Sequence, residues 1–326
     1  MTILARKSTT SVPHVLSFDV EEHYQVSAFW CQRRRSKWDE LESRVDKNTR
    51  RIVDLLAQSD AKATFFVLGW VAERHPDLVK YLVGTGHEVA SHGYGHELVT
   101  TQSPEEFRKD VRKAKAILED LTGKRIAGYR APSFSIAAGT EWALSILAEE
   151  NYLYDSSVYH RFRKKYRGPR TTSHCYKIDT LSGPIWEVSP STLRTCGVYI
   201  PVAGGGYFRL MPYPILKLFL KRLENEGLQL VMYLHPWEID PEQPRMKGPL
   251  LSRVRHYMNL KKTEERLQLL LEDFQFGSIA EVLDPIRKAL HGGEGQCVRL
   301  SSEPLNGHSH SEIHSGDRQE GGLAPL

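Results

Sequence analysis

The stretch Glu88-Val89-Ala90-Ser91-His92-Gly93-Tyr94-Gly95-His96 sets two histidines four residues apart, directly after a short strand pattern. Gly93 and Gly95 disfavour a regular helix and favour a tight loop. A single backbone turn there brings both imidazoles toward one ion. Taken alone, the pair reads equally as a metal site or as structural histidines. Working outward, three more polar residues follow candidate strands in the same way. Asp19 follows His14 to Phe18, Arg130 closes Ala127 to Arg130, and His235 follows the apolar run Leu228 to Leu234. The other predicted strands are Lys62 to Leu68 and Tyr152 to Asp155. Helical patterns fall between them over Lys47 to Leu56, Pro76 to Val83, Glu141 to Glu150, Pro212 to Glu226 and Glu264 to Phe274. Another helix opens at Ser103-Pro104-Glu105-Glu106, with an N-cap serine, proline at the first position and glutamate three after the cap, and runs to about Leu121. This alternation predicts an α/β fold with a parallel sheet. An open doubly wound sheet and a barrel both fit. Functional residues at the ends of several strands favour the barrel.

Composition narrows the function classes. The chain has 326 residues, 40% hydrophobic and 26% charged, as in an ordinary globular protein. A net charge of +4 gives no reason to expect nucleic acid as the partner. The longest nearly apolar stretch, Ala63 to Ala72, falls short of the ~20 residues of a membrane-spanning helix. The N-terminal residues lack an apolar core, so no secretory signal peptide is expected. The expected location is the cytoplasm, free or peripheral to the inner membrane. Cys31, Cys175, Cys196 and Cys297 form no C-x-x-C pair and are expected to be reduced and structural or incidental. Residues 291–326, rich in Gly, Ser and His and free of aromatics, are expected to be a disordered tail, and the first dozen residues loose.

Four further segments bear on chemistry. In Phe18-Asp19-Val20-Glu21-Glu22, strand alternation turns Asp19 and Glu21 the same way. Paired carboxylates are costly there unless a cation or shared proton offsets them. One carboxylate with two histidines makes a metal site with positions left open for water; a solvated acidic loop is the alternative. Arg130 can hold a nearby carboxylate ionised, or be a surface residue before a turn. His235 is a candidate general acid, or a satisfied core histidine. Gly204-Gly205-Gly206 lacks the lysine of a phosphate loop. It reads as a tight bend, or as a bend that lets a sugar lie close to Tyr207 and Phe208. The basic run Arg161 to Arg167 reads as a solvated loop, with an acidic glycan or membrane surface as the alternative.

Together these segments resemble the polysaccharide deacetylase family, the NodB-homology group of carbohydrate esterases. The resemblance rests on Phe18-Asp19-Val20-Glu21, His92 to His96, Arg130-Ala131-Pro132 and Leu234-His235 in that order, and extends over roughly residues 12–285. The runs Pro201 to Leu210 and His235 to Pro241 resemble more narrowly the subgroup encoded with exopolysaccharide and exosortase loci. The resemblance implies a distorted (β/α) barrel of about seven strands over residues 12–240, a C-terminal helical extension over 241–290 packed on it, and the tail. It implies a metal-dependent hydrolase that removes N-acetyl groups from an exopolysaccharide or its precursor. Asp19 would be the base, His235 the acid, and Arg130 the tether of Asp19. Glu21, His92 and His96 would hold a divalent metal, zinc first, with cobalt or nickel as alternatives. Glu22 is the reserve ligand. Leu234, Ser133, Trp186 and Tyr207 would contact the substrate, an N-acetylated oligo- or polysaccharide. The chain departs from the family by Val20 and Glu21 where a second aspartate is usual. It also has Gly93 where Ser or Thr is usual, losing a side-chain hydrogen bond from the loop, and Ser133 where Tyr is usual. Asp155 and Glu187 are the candidate partners that orient His235. A cyclic-amide or formamide hydrolase and a non-catalytic glycan-binding protein are the competing readings.

Overall fold

The computed structural model describes residues 13–26, 29, 35–158, 174–195 and 198–281. The first dozen residues, Cys31, Cys196, Cys297, the Arg161 to Arg167 run and the tail lie outside the described residues. In chain order the elements are β1 (His14–Val20), α1 (Val45–Gln58), β2 (Thr64–Val67), α2 (Gly69–Arg74), α3 (Pro76–Gly84), β3 (Glu88–Ser91), α4 (Pro104–Thr122), β4 (Gly128–Tyr129), α5 (Trp142–Glu149) and β5 (Tyr154–Asp155). There follow β6 (Cys175–Thr180), β7 (Gly183–Val188), β8 (Thr192–Thr195), β9 (Val198–Pro201), α6 (Gly205–Leu210), α7 (Tyr213–Asn225), β10 (Val231–Leu234), α8 (Leu250–Tyr257), α9 (Leu260–Asp273) and β11 (Phe276–Gly277).

The main sheet runs in the order β10-β1-β2-β3-β4-β5-β7-β6. All neighbours from β10 to β7 are parallel. This agrees with the expected seven-stranded distorted barrel. β6 adds an antiparallel edge to β7, and short β11 pairs with the start of β1. The sheet curls. Val15, Phe66, Ala90, Tyr154, Val188 and Val231, from six different strands, pack into one inner apolar cluster. Where β7 comes round toward β10, Ser191 bridges the gap: its N–H donates to the Val231 carbonyl at 3.0 Å, and its Oγ accepts from Val231 N–H at 2.8 Å. The alternate residues Leu16, Phe18 and Val20 face the helices and join the main core. By strand alternation Asp19 falls on the inner side with Val15.

Local sequence explains the helix that matters most for the site. Ser103 Oγ accepts from Glu106 N–H at 3.3 Å and Glu106 Oε2 accepts from Ser103 N–H at 2.8 Å, a reciprocal cap at the start of α4. Gly123, left-handed at φ 62°, ends it. Such a cap contributes about 1 kcal/mol. The hairpins over 175–201 were not anticipated, nor were α6 and α8. The signal in β6 was there: Tyr176 and Ile178 are buried and alternate with exposed Lys177 and Asp179. Among the described residues no helix is long and apolar enough to cross a membrane.

Candidate hydrolytic centre at the strand ends

The loop after β3 is held from two sides. Gly93 adopts φ +75°, and a Cβ there would meet Asp110 Oδ2 at 2.7 Å. Asp110, on α4, accepts hydrogen bonds from Tyr94 N–H at 2.8 Å and Gly95 N–H at 3.2 Å. From the other side, the N–H groups of Gly69 and Trp70 in α2 donate to the carbonyls of Gly93 and Tyr94. Asp110 therefore supplies the polar support that a side chain at position 93 would have given. It was not singled out from the sequence, because it lies on another element. Burial raises its pKa, and the two backbone donors oppose that rise.

This loop delivers both histidines to Glu21. His92 Nδ1 lies 2.8 Å from the Arg130 carbonyl, which only accepts, so Nδ1 carries the proton and Nε2 is left as a lone-pair donor. His92 Nε2 is 3.7 Å and His96 Nε2 2.6 Å from Glu21 Oε2. One donor atom from each of the three residues lies within 4.8 Å of the other two, and all three side chains are buried. Burial pushes the Glu21 carboxyl up, but His96, His92 and His235 together hold it well below the usual carboxylate range. Two imidazoles and one ionised carboxylate, dry and convergent, fit a divalent transition metal. Glu22 faces elsewhere. Its carboxylate accepts from the backbone N–H groups of Arg44, at 3.1 Å, and Val45, so it caps the start of α1.

Asp19 and His235 sit beside this cluster. Arg130, fully buried, donates from Nη1 to Asp19 Oδ1 at 2.7 Å and to Ser17 Oγ at 3.0 Å, and from Nη2 to Ser156 Oγ at 2.8 Å. Its guanidinium also lies 4.1 Å from the Phe66 ring centroid. His235 Nε2 is 3.8 Å from Asp19 Oδ2 and 3.9 Å from Glu21 Oε1.

The partner of His235 is neither Asp155 nor Glu187. Its Nδ1 lies 2.7 Å from Glu238 Oε1, and Glu238 Oε2 accepts from Arg209 Nε at 2.6 Å. Arg209 Nη1 in turn donates to the carbonyls of Arg255 and His256. Strand alternation is the reason for the correction. Tyr154 belongs to the inner cluster and Ser156 meets Arg130, so Asp155 between them points outward. Asp155 stands in register with Glu187 across β5 and β7, and burial together with the Asp155 charge pushes the Glu187 carboxyl well up. The sequence held a signal for Glu238: Pro236 at the first position and Glu238 at the third of the turn after His235 make a capping box. Trp237 was also missed as a site residue. Its Nε1 donates to Glu21 Oε1 at 3.2 Å, and its ring stacks between His235 and His256 at centroid distances of 5.0 and 4.2 Å.

The expected substrate contacts are scattered. Leu234 is buried in the main core in register with Phe18. Ser133 lies half-buried in the turn directly after Arg130, with φ 53°. Trp186 packs against the inner cluster, in register with Tyr154 and on the Val15 side of the sheet. Tyr207 is half-buried on α6. Phe208 is fully buried and offers no stacking face. Gly204 forms a bridge with Tyr233, where a Cβ would stand 1.7 Å from the Tyr233 carbonyl oxygen, so the glycine run seats the chain against β10.

A curled parallel sheet with a Glu-His-His cluster and a buried Asp–Arg pair at its strand ends defines a NodB-type barrel. Residues 37–148 match the family described as Polysaccharide deacetylase. Residues 156–284 match a domain of unknown function (DUF3473). The site draws on both, since His92, His96 and Arg130 lie in the first stretch and Arg209, His235 and Glu238 in the second. A peptidoglycan-N-acetylglucosamine deacetylase of Bacillus cereus is 40% identical over 86 residues, covering 26% of this chain and 29% of that protein. A peptidoglycan deacetylase of Helicobacter pylori is 31% identical over 110 residues, covering 34% and 36%. The chain thus spans about a third of the length of these curated relatives. In fold, it is similar to a polysaccharide deacetylase homologue from Mycobacterium smegmatis, with a TM-score of 0.59 at 19% identity over 94% of this chain and 99% of that one. It is also similar to an allantoinase, with a TM-score of 0.54 at 17% identity over 85% and 90%.

Proposed function

We propose that this protein is a metal-dependent N-deacetylase acting on N-acetylated amino sugars of a polysaccharide. The observation that carries the reading is the placement of Asp19 and His235, 3.8 Å apart, beside the Glu21-His92-His96 cluster. The amide is a poor electrophile and the amine a poor leaving group, so the reaction needs both a base and an acid. Glu21, His92 and His96 would hold a divalent metal, zinc first and cobalt or nickel as alternatives, which when bound would polarise the carbonyl and lower the pKa of water toward ~7. Asp19, fixed by Arg130, takes the proton from the attacking water. His235, fixed by Glu238, gives a proton to the departing amine. Each proton transfer contributes typically ~10²–10⁴-fold. The backbone N–H of the turn at Ser133 is the proposed partner of the developing oxyanion.

The substrate we propose is an exopolysaccharide or its precursor. The support is the resemblance of the runs Pro201 to Leu210 and His235 to Pro241 to the exopolysaccharide-linked subgroup. In the structure both runs meet at the acid, through Arg209 and Glu238.

The test is acetate release from N-acetylglucosamine oligosaccharides by chelated protein, before and after zinc is restored. Zinc-dependent acetate is expected. Hydrolysis of allantoin or another ureide without acetate would move the site to cyclic amides. Glycan binding with neither metal nor acetate would make it a binding protein.

A further inference from the structure

We propose that α8 and its flanks form a docking surface for an anionic lipid bilayer. Between Glu242 and Glu264 the sequence has no acidic residue but has Arg245, Lys247, Arg253, Arg255, Lys261 and Lys262. On the same segment Leu250, Leu251 and Val254 are 73%, 56% and 49% exposed. At about 100° per residue these three side chains share an arc of about 100° on the helix. Arg253 lies on one flank of that arc and Arg255 on the other. His256, the buried residue of the helix, points to the opposite side. Tyr257, half-buried beneath the Arg245 guanidinium at 4.2 Å from its ring centroid, lies near the edge of the arc.

An apolar stripe between arginines is the arrangement of an interfacial helix: the leucines enter the acyl boundary while the cations meet anionic headgroups. A protein partner with a complementary groove would also cover leucines. Six cations without one carboxylate in the segment favour a surface of dense negative charge, which a bilayer supplies. The opposite side of α8 reaches the hydrolytic centre. His256 stacks on Trp237, and the carbonyls of Arg255 and His256 hold Arg209. A docked bilayer therefore lies against the same helix that anchors the support of His235. This inference does not depend on which reaction the centre performs.

The test is flotation of the full chain with vesicles of phosphatidylglycerol and phosphatidylethanolamine, against vesicles of phosphatidylcholine. Binding is expected to the anionic vesicles, at least tenfold weaker to the neutral ones, and reduced by salt. Leu250→Ser with Leu251→Ser is expected to lower anionic-vesicle binding at least tenfold. Arg253→Gln with Arg255→Gln is expected to weaken binding and flatten its salt dependence. The proposal is overturned if the wild-type chain stays with the soluble fraction. It is equally overturned if the double leucine variant floats as well as the wild type, which would place any membrane contact elsewhere, or if the wild type does not distinguish the two vesicle types.

Discussion

His92 Nδ1 hydrogen-bonds the carbonyl of Arg130 at 2.8 Å, and the guanidinium of the same Arg130 binds Asp19 at 2.7 Å. One residue therefore fixes the tautomer of a proposed metal ligand and the position of the proposed base. Arg130→Ala would leave the Asp19 carboxylate buried without its cation. A loss of about 3–5 kcal/mol is expected from breaking such a pair, read by urea unfolding. Arg130→Lys keeps the charge but cannot reach Asp19, Ser17 and Ser156 together. It is expected to recover part of the stability while acetate release stays at least tenfold down. Full activity in the lysine variant would show that the fork geometry is unimportant.

Glu21 and Glu22 are neighbours with opposite duties. Glu21→Gln is expected to cost at least tenfold in zinc affinity, measured by competition with a chelating dye. Glu22→Gln removes the charged cap of α1 and is expected to cost about 1 kcal/mol of stability, with zinc affinity unchanged. The reverse pattern would exchange the two assignments.

The parallel sheet and the Asp19, Glu21, His92, His96 and Arg130 positions were legible because each sits where strand alternation or a glycine-bearing loop constrains it. Glu238 sits only three residues from His235, within a pattern readable as a capping box, whereas the candidate partners Asp155 and Glu187 are distant in sequence. Alternation, applied from Tyr154 and Ser156, turns Asp155 outward. Asp110 and Arg209 were not readable as supports, because they act across tertiary contacts between elements far apart in sequence.

A side chain at Gly93 would meet the Asp110 carboxylate. Gly93→Ala combines a positive φ with a Cβ 2.7 Å from Asp110 Oδ2, so either the loop shifts or the Asp110 carboxylate gives up its hold on Tyr94 and Gly95 between the two histidines. Disturbing supports behind metal ligands typically costs 10–100-fold in affinity. A fall of about that size in zinc affinity is expected by calorimetric titration. Wild-type affinity would show that the loop tolerates the shift.

In the metal-free protein, burial alone would lower the His235 pKa. The hydrogen bond that His235 Nδ1–H donates to Glu238 and the charges of Glu21, Glu238 and Asp19 outweigh burial and raise it from 6.5 to about 9. A raised histidine pKa stabilises the fold fully below about 6.5, and that contribution is lost as pH rises through about 9. NMR titration of the imidazole in the metal-free protein is expected to show this high value, and Glu238→Gln to lower it. An unchanged pKa in that variant would remove Glu238 from the support of His235.

The most direct test of the central claim is Asp19→Asn, assayed together for bound zinc and for acetate release from N-acetylglucosamine oligosaccharides. With Asp19 as base and Glu21, His92 and His96 as ligands, the variant keeps its zinc and loses turnover by at least ~10²-fold. A variant that loses zinc would put Asp19 among the ligands, and one that releases acetate at the wild-type rate would contradict the assignment of the base.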